Sequence, residues 1–221
     1  MALVADALSY TYGAGTSFAA PALKDVSLAL DAGDLLLVVG ATGSGKSTLL
    51  RLLSGLLDPD AGTVLVDSEP VGKPGRVGIV FQNPETQFFA ETVLDDVSFG
   101  PRNLRVPDVD AAACEALEAV GLPAAIFGSR SPFTLSGGEA RRAAVAGVLA
   151  MRPAYLLLDE PTAGLDRIGR DAVLGAISAV RDRTGVLVVT HDHRALDVFD
   201  SLLEMEDGKL SEAGQQVAQA S

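Results

Sequence analysis

Polar and apolar positions alternate at the start of the chain. The segments "ALSYTYGAG" and "ALKDVSLALDAGD" trade the two types residue by residue, and "TVLVDSEPVGKPG" adds turn residues. Period-two alternation marks strands with one buried face, so these segments predict an antiparallel β element at one edge. Elsewhere the apolar runs are unbroken. "LLLVVG" (Leu35 to Gly40), "YLLLDEP" (Tyr155 to Pro161) and "VLVVTHD" (Val186 to Asp192) are short and rich in Leu and Val. Such runs predict strands of a parallel sheet, buried on both faces. Between Gln82 and Ser136 the spacing turns helical in "ETVLDDVSFG" and "DVDAAACEALEAVGL", with Pro107 and Asp108 placed to start the second helix. Near the end, Asp207-Gly208 between two strand-like runs predicts a hairpin, and the polar "QQVAQAS" after it is expected to fray. The fold class predicted is α/β: one domain, with a mainly parallel core over 1–81 and 136–221, an antiparallel β edge, and a helical lobe inserted over about 82–135.

Composition narrows what this fold does. Hydrophobic residues make up 48% of the 221, enough for a substantial core. The net charge of −12 speaks against general nucleic-acid binding, which needs a basic face, and against adsorption to anionic lipid. The single Cys114 excludes an intramolecular disulfide and suits a reducing compartment; a small buried side chain is its expected role. No secretory signal opens the chain, and no apolar run approaches the roughly 18 residues of a spanning helix. Any membrane role is therefore expected to come through a partner.

The chemistry concentrates in a few places. "GATGSGKS" (Gly40, Ala41, Thr42, Gly43, Ser44, Gly45, Lys46, Ser47) matches G-x-x-x-x-G-K-[ST] between an expected strand and an expected helix. Its glycines let backbone N–H groups converge on a phosphate at a helix N-terminus. Lys46 supplies charge to the β- and γ-phosphates, and Ser47, with Thr48 beside it, offers a hydroxyl to Mg²⁺. "LLLDE" leaves Asp159 and Glu160 at the carboxyl end of a buried strand, where ligands of parallel sheets bind. Asp159 would reach Mg²⁺ and Glu160 would polarise the attacking water. A strand that merely ends in two solvated acids is the plain alternative. "LSGGE" (Leu135 to Glu139) fits a capping box through Ser136 and Glu139, while Gly137 and Gly138 keep that helix start open to a second phosphate.

Taken in order, the phosphate loop, the lone Gln82, LSGGE, LLLDE, "AGLD" and a histidine after a strand resemble the ABC-type ATPase family over about Leu3 to Leu210. That resemblance implies a head-to-tail dimer with two ATP molecules, each held between one chain's phosphate loop and the other's LSGGE. It implies that Tyr12 stacks on adenine and that Gln82 senses the γ-phosphate and the attacking water and reaches the metal. It also implies that Asp166 contacts the opposite site and that His191 is the γ-phosphate switch. The residues also admit plain readings: Tyr12 as an edge-strand packer beside Tyr10, Gln82 as a loop amide, Asp166 as a helix cap. Glu139 stands where the family commonly has Gln, and would repel ATP unless it turns back to cap its helix.

"FQNPETQF", "TVLDDVSFGPRN" and "AGVLAMRP" resemble one branch in particular, the ATPases of energy-coupling-factor importers of vitamins and transition-metal ions. The branch implies a transmembrane coupling protein and, beyond it, a small substrate-binding membrane protein. It implies a peripheral position on the cytoplasmic face of the membrane. Glu85, Glu91, Asp95 and Asp96 form an acidic stretch that would dock the coupling protein, with Phe88 and Phe89 as apolar anchors. A solvated helix start with both rings in the lobe's core is the alternative. The close of the chain soon after the expected hairpin resembles the short versions tied to biotin or to cobalt and nickel. An ordinary ABC importer or exporter subunit is the nearest competing reading, ahead of a non-transport relative, a small-molecule kinase or a nucleotide-dependent scaffold.

Overall fold

The computed structural model describes residues 1–83, 87–191 and 198–212. Pro84 and Glu85 of the acidic stretch, His193, and the polar C-terminal residues lie outside the described residues.

The alternating N-terminal segments form β1 (Ala2–Tyr12) and β2 (Ala20–Asp31), which pair antiparallel. With β4 (Ala61–Val66) and β5 (Glu69–Pro70) they build a sheet of order β2-β1-β4-β5. The unbroken apolar runs form β3 (Leu35–Val39), β7 (Tyr155–Asp159) and β8 (Gly185–Thr190), and every residue in all three is buried. Only continuous apolar sequence tolerates burial on both faces. They join β6 (Val77–Val80) and the hairpin β9 (Ser201–Glu206) and β10 (Lys209–Glu212) in a second sheet of order β10-β9-β3-β8-β7-β6. All neighbours there are parallel except the closing hairpin, which turns at Asp207-Gly208.

Helix α1 (Lys46–Leu53) follows β3 and packs its leucines under the first sheet, with Leu49, Leu50, Leu52 and Leu53 buried. Between the sheet strands β6 and β7 lie α2 (Val93–Asn103), α3 (Val109–Ala119), the single turn α4 (Ala124–Phe127) and α5 (Gly137–Leu149). Helix α6 (Arg167–Ala179) connects β7 to β8. Helix α5 is the long spoke: Ala143, Val145, Ala146 and Val148 are buried in the cluster that also holds Val93 and Val97 of α2 and Leu117 of α3. Small side chains on α5 let the neighbouring helices approach closely.

Helix α3 starts where Pro107 and Asp108 are expected to start it, although Asp108, left-handed at φ 52, makes no side-chain hydrogen bond to the first turn. One expectation needs correction. Cys114 is half-buried, because Ala112, Ala113, Ala116 and Leu117 take the inward stripe of α3 and leave residue 114 on its shoulder. No helix among the described residues is long and apolar enough to cross a membrane.

Candidate active site

Four adjacent parallel strands, β3, β8, β7 and β6, end at the same edge of the sheet. Each delivers one element there. β3 runs into the Gly40–Ser47 loop, β6 into Gln82, β7 into Asp159 and Glu160, and β8 into His191. The carboxyl edge of a parallel sheet is where α/β folds place ligands, and here it opens a cavity of about 390 Å³. Its walls include Tyr12, Thr42, Gly43, Gly45, Lys46, Ser47, Thr48, Gln82, Asp159, Glu160 and His191.

The loop is shaped by contacts that glycine alone permits. A Cβ on Gly40 would sit 2.3 Å from the Met205 carbonyl oxygen, and one on Gly45 would sit 2.6 Å from that of Ala22. Gly45 also has φ +113 and leaves α1 without a side-chain cap. The first N–H groups of α1 are thus open to an anion. Lys46 folds back over the loop, donating to the carbonyls of Gly40 (2.7 Å) and Ala41 (2.8 Å). Burial pushes its ammonium below the usual lysine range, against the pull of Glu160 and Asp159.

The two acids differ. Burial raises the Asp159 carboxyl above its usual range, while a hydrogen bond from Ser47 works the other way. Glu160 sits in a left-handed conformation at φ 51, uncommon outside glycine and a mark of a constrained site. Its carboxylate accepts from the Thr190 hydroxyl (2.8 Å) and the His191 backbone N–H (2.9 Å), and meets His191 Nδ1 at 2.7 Å. The catalytic carboxylate predicted from the sequence is therefore held by β8 from two sides. The Thr190 hydroxyl is not legible in the sequence as a site group, since it hides in an apolar strand.

Triphosphate and Mg²⁺ suit this arrangement. Mg²⁺ keeps most of its waters and takes one or two protein oxygens plus phosphate. The described residues hold no cluster of three or more His, Cys, Asp or Glu that would form a dedicated cage. Ser47 and buried Asp159 line the same cavity beside the phosphate loop, which is a donor set of the required kind.

Tyr12 borders the cavity at its open side. Its hydroxyl lies 3.2 Å from Thr48 Oγ1 and accepts weakly from Arg51 at 3.4 Å, and its ring meets Tyr10 edge-on at 4.9 Å. One ring face of a half-exposed tyrosine fixed in this way is available for a flat partner.

The chain does not bring LSGGE to this cavity. Ser136, Gly137, Gly138 and Glu139 start α5 elsewhere, and Asp166 caps α6 by accepting from the Gly169 N–H at 2.8 Å. Ser136 and Glu139 form the full capping box: the Ser136 N–H donates to Glu139 Oε2 (2.7 Å) and the Glu139 N–H to Ser136 Oγ (3.3 Å). Glu139 has turned back onto its helix, and those bonds hold its carboxyl below the usual range.

A family profile described as "ABC transporter" matches residues 23–163. This chain belongs to the ABC transporter family. As a member it is an ATPase that works in transport. It is 47% identical over 227 residues to an energy-coupling factor transporter ATP-binding protein, EcfA2, of Symbiobacterium thermophilum, a match covering 97% of this chain and 78% of the relative. To the EcfA2 of Latilactobacillus sakei it is 41% identical, covering 94% and 76%. Among solved structures it resembles cbiO1 of Clostridium perfringens, described as part of the ABC transporter complex cbiONQ, at 32% identity and a TM-score of 0.79, covering 95% and 86%. It also superimposes on MJ0796, an ATP-binding cassette dimer bound to ADP and Pi, with a TM-score of 0.84 at 26% identity, covering 97% and 100%.

The stretch before α2 divides in two. Phe88 packs against the core, whereas Phe89 is exposed and stacks edge-on with exposed Phe99 at 4.5 Å. Asp95 accepts from the Thr92 hydroxyl (2.6 Å), and Asp96 accepts from the backbone N–H groups of Phe89 and Ala90 (2.9 Å each). Two acids of the stretch thus brace their own turn. Two arginines carry no signal in the sequence: Arg142 donates to the carbonyls of Val120 and Gly121, tying α5 to the end of α3, and Arg141 reaches the Gln82 carbonyl.

Proposed function

We propose that this chain is the ATP-hydrolysing subunit of an energy-coupling-factor type importer, working as a head-to-tail dimer with two composite ATP sites on the cytoplasmic face of the membrane. One observation carries the dimer. In the phosphate loop Gly40 and Gly45 are forced by the chain's own packing and Gly43 by its left-handed φ of +87; Gly137 of LSGGE is forced by neither. A Cβ on Gly137 would meet nothing within 4 Å, and one on Gly138 only the tip of Leu165 at 3.3 Å. The bareness of Gly137 serves no contact inside this chain, and it leaves the helix start open to a group outside it. A phosphate bound on a second chain is the group an open helix start attracts.

In each composite site Lys46 and the α1 N–H groups hold the phosphates, and Tyr12 stacks on adenine. Ser47, Asp159 and Gln82 hold Mg²⁺, which supplies charge neutralisation on the phosphates when bound. Glu160 takes the proton of the attacking water, and His191 keeps that carboxylate aimed while it contacts the γ-phosphate. Ser136, Gly137, Gly138 and Asp166 of the partner subunit close the site. The partner is a second copy or a homologous ATPase. The exposed Phe89–Phe99 pair, with Glu91 and Asp95 beside it, supports docking of a transmembrane coupling protein there, which reaches the small substrate-binding membrane protein indirectly. The cargo is a vitamin such as biotin, or a transition-metal ion such as cobalt or nickel.

The test pairs hydrolysis with isolation. Glu160→Gln is expected to lower ATP turnover about 10²–10⁴-fold while ATP still binds and accumulates a dimer. Activity unchanged by that substitution would reject Glu160 as the base. Extraction of the native membrane complex in mild detergent should recover a coupling protein with a small hydrophobic partner. Recovery of paired permeases instead would assign the chain to another class of ABC transporter.

A further inference from the structure

Arg141 joins three segments that the proposed dimer assigns to two different ATP sites. It lies in the second turn of α5, the helix whose first turn is LSGGE. Its Nη2 donates to the backbone carbonyl of Gln82, 59 residues away, at 2.8 Å. Its Nη1 runs past Gly164, where an added Cβ would lie 3.7 Å away. Gly164 sits at φ +71 in the Ala163–Asp166 turn, the "AGLD" segment. The Nε is buried with no hydrogen-bond partner among the described residues, so Gln82 is where the guanidinium spends its directed donor.

We infer that Arg141 is a positioning residue that couples the two composite sites. Gln82 belongs to the site on its own chain. The start of α5 and the AGLD turn belong to the site on the partner. A shift of the Gln82 backbone when the γ-phosphate arrives or leaves is handed by one planar, five-donor group to the elements that close the other site. The inference rests on the head-to-tail reading. What it adds is a specific mechanical link with a thermodynamic signature: coupling between sites, not affinity at either.

The experiment uses the full-length protein with ATP and Mg²⁺. The wild type should hydrolyse ATP with a rate that rises as the square of protein concentration, and with a Hill coefficient for ATP well above 1. Arg141→Met keeps the length and apolar stem but removes the donor. It is expected to bring the Hill coefficient to about 1, with ATP affinity of the dilute monomer within roughly twofold of wild type. Arg141→Lys, which can still donate once to the Gln82 carbonyl, should restore part of the cooperativity. It folds with the charge retained, so it also guards against a packing defect in the Met variant. Undiminished cooperativity in both variants overturns the role of Arg141 and leaves the dimer intact. A wild type whose rate is linear in protein concentration and non-cooperative overturns the dimer reading, and the link with it.

Discussion

At the start of α1, Gly45 takes φ +113 and no side chain caps the helix. At the start of α5, Ser136 and Glu139 cap one another, and the chain runs in with ordinary extended geometry. Both starts are glycine-rich, and the sequence suggests a phosphate at each. Their glycines nevertheless have different reasons to exist. Before α1, Gly40 and Gly45 are squeezed between Ala22, Leu23, Ser44 and Met205 and Gly43 takes φ +87, whereas Gly137 of α5 borders open space and Gly138 meets only the tip of Leu165. A glycine required by the fold can be explained inside one chain. A glycine that the fold does not require, at a helix position where alanine is the better former, asks for an explanation outside it.

The sharpest way to break that comparison is to add a methyl group at each start. Gly45→Ala meets the Ala22 carbonyl at 2.6 Å and the Leu23 side chain at 2.9 Å from a left-handed backbone. It is expected to cost on the order of 3 kcal/mol of stability and to abolish ATP binding, read by chemical denaturation and nucleotide titration. Gly137→Ala should do the opposite to stability and still harm function. Melting temperature should rise, by an amount worth up to about 1 kcal/mol, while steady-state ATPase falls at least roughly tenfold. If activity survives Gly137→Ala, that helix start faces no second nucleotide.

Smaller changes sharpen the contrast. Ser136→Ala removes the cap on α5 and should cost about 1 kcal/mol, a melting-temperature loss of roughly 2–4 °C. α1 has no such side chain to lose. Glu139→Gln keeps the capping geometry and removes the charge. Glu139 is held below its usual range, so its contribution is present above the unfolded value and disappears as pH falls through the folded one. The Gln variant should therefore melt within about 2 °C of wild type at low pH and fall slightly behind it at neutral pH. A gap that grows on acidification would contradict the assigned role of that carboxylate.

Much of this architecture is readable in the sequence, and the reasons are local. Leu35–Val39, Tyr155–Asp159 and Gly185–Thr190 are legible as central strands because burial on both faces forces unbroken apolar sequence. The capping box is legible because its two partners are three residues apart. What stays hidden is non-local. Arg141 and Arg142 follow LSGGE as ordinary helix charges, and nothing nearby says that they end on carbonyls of Gln82, Val120 and Gly121. Asp96 reads as surface charge, yet it closes its own turn by accepting from two backbone N–H groups, so a charge reversal there would test the turn as much as any docking. Asp108 marks the start of α3 correctly but lends it no side-chain bond, because a cap depends on backbone angle as well as residue type.

The closing hairpin has a consequence for how the protein is made. The Gly208 N–H donates to the Ser44 carbonyl at 3.0 Å, Lys24 N–H donates to the Gly208 carbonyl at 2.8 Å, and the Met205 carbonyl presses on Gly40. The phosphate loop at 40–47 is thus braced by a hairpin that lies far along the chain, around Gly208. On a ribosome, the Gly40–Ser47 segment emerges long before its brace, so a nascent chain cannot hold nucleotide in the native geometry until residue 208 is out. ATP thus favours chains in which the hairpin is already seated against the loop.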